Sequence, residues 1–214
     1  MNDNVCWMII LGPYDLYDKI ISKYENINWK CVSEYQYLTE DFIEKYQDKV
    51  NWPSISQYQK LSEKFIEKFK DKICWFIISL FQELSENLII KYENRLNWHF
   101  ISGNQILSEK FIDKYNNRLV WDYISISQKL SENFIEKNRN KINWYYILIH
   151  QKLSEHFIEI HNQDIIKYKE NLLKNTKIKI TKKICDILHI NYQIIFMLQN
   201  INKYKDIYAL FNAR

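Results

Sequence analysis

Recurrent residues fall along this chain on two interlocked helical spacings. Counted from Trp29, the first set stands at offsets 0, 3, 4 and 7: Trp29, Val32, Ser33 and Gln36, and again Trp52, Ile55, Ser56 and Gln59. Those offsets share one face of an α-helix and predict a short first helix. The second set begins with Leu38, Leu61, Leu84, Leu107, Leu130 and Leu153 at offset 9 and continues through apolar residues at 13, 14, 17 and 21 (Phe65, Ile66, Phe69 and Ile73 in one copy). Ser or Thr and then Glu follow each of those leucines, a helix-start signal in which a hydroxyl caps free amides and a carboxylate meets the positive end of the dipole. The charged residues between the apolar ones, such as Glu67 and Lys68, fall on the opposite, solvated face. Asn28, Asn51, Asn97 and Asn143 precede their tryptophans as N-caps of the first helix, and Pro53 is tolerated in its first turn.

The pattern is strictly periodic. Trp29, Trp52, Trp75, Trp98, Trp121 and Trp144 stand 23 residues apart, and Trp7 precedes them by 22. A period between 20 and 50 residues marks a repeat array. Leucine-rich repeats share the length, but their strand pattern is absent and segments such as Glu63-Lys64-Phe65 are poor strands. Helices this short are marginal alone in water, so their stability must come from stacking on neighbours. The expectation is an all-α fold: an α-solenoid of about seven 23-residue helix-turn-helix repeats over residues 1–161, closed by a divergent C-terminal helical cap over residues 162–214.

Composition narrows the class. Two glycines and two prolines in 214 residues leave little material for β-turns or linkers. The formal net charge of +4 is weak for a nucleic-acid binder. Cys6, Cys31, Cys74 and Cys185 form no CxxC pair and read as free thiols in a reducing compartment. The apolar start around Trp7 lacks a basic flank and keeps the repeat register, so it reads as a first repeat and not as a signal peptide. No apolar run reaches the ~18 residues of a membrane span. A soluble, cytoplasmic, monomeric protein is expected.

The signature W-x-x-I-S-x-x-Q-x-L-S-E-x-F-I-x-K-Y-x-D-K-V, followed from the N-terminus to about residue 161, resembles the tandem short helical repeats abundant in giant DNA viruses such as mimiviruses and marseilleviruses. The bias toward Asn, Lys, Ile and Tyr agrees with an AT-rich genome of that kind. The resemblance implies a protein-interaction array with a host or viral partner in the host cytoplasm. It carries over no catalytic residues. Some relatives place an F-box ahead of such repeats, whereas here the repeats begin at once.

Copies within one chain can be compared with each other. Offsets 1, 2, 5 and 6 vary most, and several of them carry large aromatics that the shared core does not demand. The functional reading is a partner-binding groove lined by Tyr35, Tyr58, Phe76, Phe81, Phe100, Tyr123, Tyr145 and Tyr146. The competing reading has offsets 2 and 6 packing between neighbouring repeats. Gln at offset 7 is expected to bond loop backbone or its counterpart in the next repeat.

Past residue 161 the tryptophan, the Leu-Ser-Glu and the 23-residue step all disappear. A capping bundle is expected there. A helix-turn-helix over residues 181–198 is the alternative, next to the basic run Lys174, Lys177, Lys179, Lys182 and Lys183, although its second helix offers few groups for base edges. His150, His156 and His161 are six and five residues apart, which places no two of them as a zinc pair on one helical face. No phosphate loop or nucleophile motif is present. The sequence therefore points to a non-enzymatic protein-interaction scaffold without cofactor or metal. An RNA-reading helical array is the alternative, because aromatics at a fixed step could stack bases.

Overall fold

The structure is a computed structural model that describes residues 27–173, 175, 177–190 and 193. The expected first repeat around Trp7 lies outside them. The described residues are helical and contain no strand. First and second helices alternate as α1 (Trp29–Tyr35), α2 (Glu40–Lys45), α3 (Trp52–Tyr58), α4 (Glu63–Lys68), α5 (Trp75–Phe81), α6 (Glu86–Lys91), α7 (Trp98–Asn104) and α8 (Glu109–Lys114). The series continues with α9 (Trp121–Ser127), α10 (Glu132–Lys137), α11 (Trp144–His150) and α12 (Glu155–Ile160). The fold is an α-solenoid of tandem helix pairs. Contacts divide the chain into two compact units between Leu119 and Val120. Within the first unit, α1 packs on α3, α3 on α5 and α5 on α7; within the second, α9 packs on α11.

The core has two fully buried rows. Ile55, Ile78 and Ile101 at offset 3 and Ile43, Ile66, Ile89 and Ile112 at offset 14 are 0% exposed in the first unit, as are Ile124, Ile147, Ile135 and Ile158 in the second. Apolar area removed from water in this way is worth about 25 cal/mol per Å². The second helices start as the sequence predicts, with the Ser62, Ser85, Ser108, Ser131 and Ser154 side chains accepting from the amide three residues on. Asn28, Asn51, Asn97 and Asn143 cap the first helices likewise, whereas Cys74 and Val120 at that position make no side-chain cap.

Stacking is directed by polar groups. The offset-7 glutamines Gln59, Gln82, Gln105 and Gln151 reach back to the loop backbone of the preceding repeat, the opposite of the forward direction allowed by one of the sequence readings. The Gln59 Oε1 accepts from the Leu38 amide at 2.9 Å while its Nε2 donates to the carbonyls of Ser33 and Gln36 at 2.9 and 2.8 Å. Gln82 and Gln151 make the same three bonds to their own predecessors. The offset-4 serine points the other way. The Ser79 hydroxyl donates to the Trp75 carbonyl at 2.7 Å and accepts from the Asn97 amide at 3.0 Å, and Ser33, Ser56 and Ser125 are placed alike. Within each unit, buried main-chain groups that would otherwise lose water are thereby satisfied between neighbouring repeats.

The exposed face is tied as well. Within the first unit the glutamates of Leu-Ser-Glu accept from the serine amide of the next repeat, Glu63 from Ser85 and Glu86 from Ser108, both at 2.6 Å. Lys91 pairs with Glu67 at 2.6 Å and Arg95 with Asp71 at 2.9 Å. Such exposed pairs stabilise little individually.

Most of the tryptophans are not fully buried, although their invariance suggests a core position. Trp52, Trp75 and Trp98 are half-buried, and their indole N–H groups donate to the carbonyls of Gln47, Lys70 and Glu93 in the turn before them. One ring face meets the offset-17 aromatic, Trp52 with Phe69 at 5.1 Å, and Lys72 or Arg118 approaches the Trp52 or Trp98 ring at 5.9 or 4.4 Å. Three different contacts fix this residue, so its constancy reflects specificity more than burial.

Repeat sequence ends at residue 161, but repeat geometry continues past it. α13 (Asn162–Ile165), a 3₁₀ turn (Ile166–Tyr168) and α14 (Lys169–Leu173) take the place of a first helix, and α15 (Lys182–Ile187) takes that of a second. α14 packs on α11 and α15 on α12. Asn175 stands in for the glutamine, donating from Nδ2 to the carbonyls of Leu148 and Gln151, both at 2.8 Å. Thr181 replaces the capping serine, accepting from the Ile184 amide and donating to Glu155. The described residues past 161 thus form a degenerate further pair. Of the alternative helix-turn-helix, α15 buries Ile184 and Cys185 in this stack, while residues 191, 192 and 194–198 lie outside the described ones.

Candidate interaction surface

The first helix presents offsets 3, 4 and 7 inward, which leaves offsets 1, 2, 5 and 6 for the outer side. The structure separates these four. At offset 6, Tyr35, Tyr58 and Phe81 are 64%, 50% and 50% exposed. At offset 1, Phe76 and Tyr145 are 55% and 41% exposed. Offset 2 behaves differently: Ser54 is buried, Cys31, Ile77, Phe100 and Tyr146 are half-buried, and Tyr123 is open. Packing between neighbours therefore describes offset 2 well and offset 6 poorly.

The eight aromatics singled out from the sequence do not form one lining. In the first unit, Tyr58 and Phe81 share a groove of about 480 Å³ with Gln57, Lys60 and Glu83. Phe76 meets the edge of Phe100 in the next repeat, ring centres 5.0 Å apart at 80°, so Phe100 supports Phe76 more than it offers a surface of its own. Tyr35 lies beside Glu34, whose negative charge pushes the phenol above its ordinary range. In the second unit, Tyr145 and Tyr146 meet edge to face at 5.2 Å, with Tyr146 turned toward His150 at 6.4 Å, and Tyr123 is exposed.

The exposed apolar residues that escaped the sequence reading include two at a single offset. Tyr37 and Ile106, both at offset 8 between the glutamine and the leucine, are 71% and 94% exposed. The same comparison of copies finds them, because offset 8 reads Tyr37, Lys60, Glu83, Ile106, Lys129 and Lys152. Free of the helix and its core, that residue varies without constraint. With offset 6 it places Tyr35, Tyr37, Tyr58, Phe81 and Ile106 at the loops of four successive repeats of the first unit.

The histidines are dispersed. His161 is buried in the aromatic position at offset 17, its ring 4.4 Å from that of Phe157 and its Nε2 2.7 Å from a Glu136 carboxylate oxygen; His156 is exposed. Among the described residues no three His, Cys, Asp or Glu side chains are grouped to hold a metal ion, and no helix is long and apolar enough to cross a membrane. Cys74 and Cys185 are free thiols, and burial pushes that of Cys185 up. Comparison with protein-family models, with curated proteins and with solved structures returns no match to this chain.

Proposed function

We propose that the protein is a non-catalytic scaffold that binds another protein through the variable side of its first helices. The observation that carries this reading is the exposure of Tyr35, Tyr58, Phe76 and Phe81 in successive repeats, at offsets that take no part in the glutamine, serine or glutamate ladders. Large aromatics left in water next to polar loops are the usual anchors of protein interfaces. A rigid stack keeps such anchors at a repeated step with little ordering cost on binding. The resemblance of the repeat to those of giant DNA viruses supports a host or viral protein as the partner and the host cytoplasm as the place.

The test compares wild-type protein with a variant carrying Tyr35→Ser, Tyr58→Ser and Phe81→Ser. Both are used to capture proteins from cells, and both are titrated with random-sequence RNA and DNA at low and moderate salt. The reading predicts a discrete protein retained by the wild type and lost from the variant, with weak nucleic-acid binding. Steeply salt-dependent RNA or DNA binding that outcompetes the protein would contradict it, because phosphate contacts release counterions.

A further inference from the structure

The same loop edge that is aromatic in the first unit is basic in the second. Between the loops of the α9–α10 and α11–α12 pairs lies a groove of about 490 Å³ whose floor includes Ile126 and Leu130 and whose rim carries Lys129, Lys152, Lys177 and His150. No carboxylate lines it. The corresponding groove of the first unit has Tyr58 and Phe81 on its rim and sets Glu63 and Glu83 against Lys60. Lys129 and Lys152 are exposed and form no hydrogen bond or ion pair with a described residue. Lys177 donates from Nζ to the His150 carbonyl, which holds its ammonium group at the groove. The nearby carboxylates of the second-helix starts are engaged: Glu132 accepts from Ser154, and Glu155 from Thr181.

We propose that this groove docks an extended acidic segment of a protein partner, one that alternates carboxylate and aliphatic side chains. Three unneutralised cations from three consecutive helix pairs favour a chain that crosses the pairs, and a carboxylate meeting each ammonium supplies the complementary charge. The apolar floor takes the aliphatic side chains between them. A nucleic-acid strand fits less well, because the lining holds no Phe, Tyr or Trp on which a base could stack and no arginine. This surface is separate from the aromatic one and does not rest on it.

The experiment is fluorescence anisotropy on the full chain with a short fluorescein-labelled peptide of alternating Glu and Leu. Binding should weaken as salt rises and fall at least about tenfold in a Lys129→Glu, Lys152→Glu double variant. Tyr58→Ser with Phe81→Ser should leave it unchanged, which separates this groove from the aromatic face. If charge reversal disturbs the fold by circular dichroism, Lys129→Gln with Lys152→Gln replaces it, and the same loss is expected. Absence of binding, equal binding by the lysine variants, or tighter binding of a labelled oligothymidylate of matched charge would overturn the proposal.

Discussion

The Oε1 of Gln82 accepts the backbone amide of Leu61, 21 residues earlier, at 3.1 Å. The same side chain donates to the carbonyls of Ser56 and Gln59 at 2.9 and 2.8 Å, so one residue closes the loop of the repeat before it. Truncation to alanine removes three bonds and strands an amide and two carbonyls at a buried position.

Gln82→Ala is therefore expected to lower the unfolding free energy by about 3–5 kcal/mol, since each unsatisfied buried group costs about 1–3 kcal/mol. Gln82→Glu should be at least as damaging, because a carboxylate cannot donate to the two carbonyls. Urea unfolding of the two variants checks this. Little change in midpoint would mean that the glutamine ladder only accompanies a stack held by its apolar rows.

How much of this was legible in the sequence depends on what a period can say. Trp52 to Trp144 and the Leu-Ser-Glu triplets announce helix pairs and their caps, because helix spacing and capping are local. The period does not say whether Gln82 bonds the repeat before or after it, since both lie one step away. Nor does it show that the tryptophans are half-buried, because a residue fixed by an indole hydrogen bond and a cation looks as constant as one fixed by burial. The final pair was hidden because Asn175 is one methylene shorter than glutamine and stands 24 residues after Gln151. At the candidate surface, copy variation located Tyr35, Tyr58 and Phe81, but Phe100 and Tyr146 sit at an offset where side-chain size decides burial: Ser54 there is covered.

The ion pair of Lys183 with Glu159, 2.8 Å, ties α15 to α12. Its hydrogen bond to Lys183 holds the Glu159 carboxyl below the ordinary range, and the same bond raises the Lys183 ammonium above its own. A depressed carboxyl contributes stability above its unfolded pKa and loses it as pH falls through the folded value. A raised ammonium contributes below its unfolded pKa and loses it as pH rises through the folded value. The pair thus stabilises the protein around neutral pH and fades at both extremes. Being exposed, it should shift the thermal midpoint only slightly. Glu159→Gln is predicted to flatten that part of the pH profile; an unchanged profile would show that the pair is not formed in solution.

The last described helix ends unlike the others. His189 has φ 52°, and the Ile190 amide donates to the Cys185 carbonyl at 2.8 Å, the six-to-one closure of a glycine-type helix end. A histidine held in the left-handed region is strained by roughly 1 kcal/mol relative to glycine. His189→Gly should raise the stability of the C-terminal pair by about that amount, read as slower amide exchange at Ile184 and Cys185. Faster exchange would indicate that the histidine side chain contributes more than its backbone costs.

The central claim is that the side of the first helices freed by the ladders is where a protein partner sits. Photo-crosslinking tests it most directly. A benzophenone amino acid is placed in turn at Tyr58 and at Phe81, and in a control at Lys64, which is exposed on a second helix. Crosslinking in cells at the two aromatic positions to one discrete protein, and none at Lys64, is the result predicted here. Crosslinks at Lys64 alone, or to nucleic acid at all three positions, would contradict it.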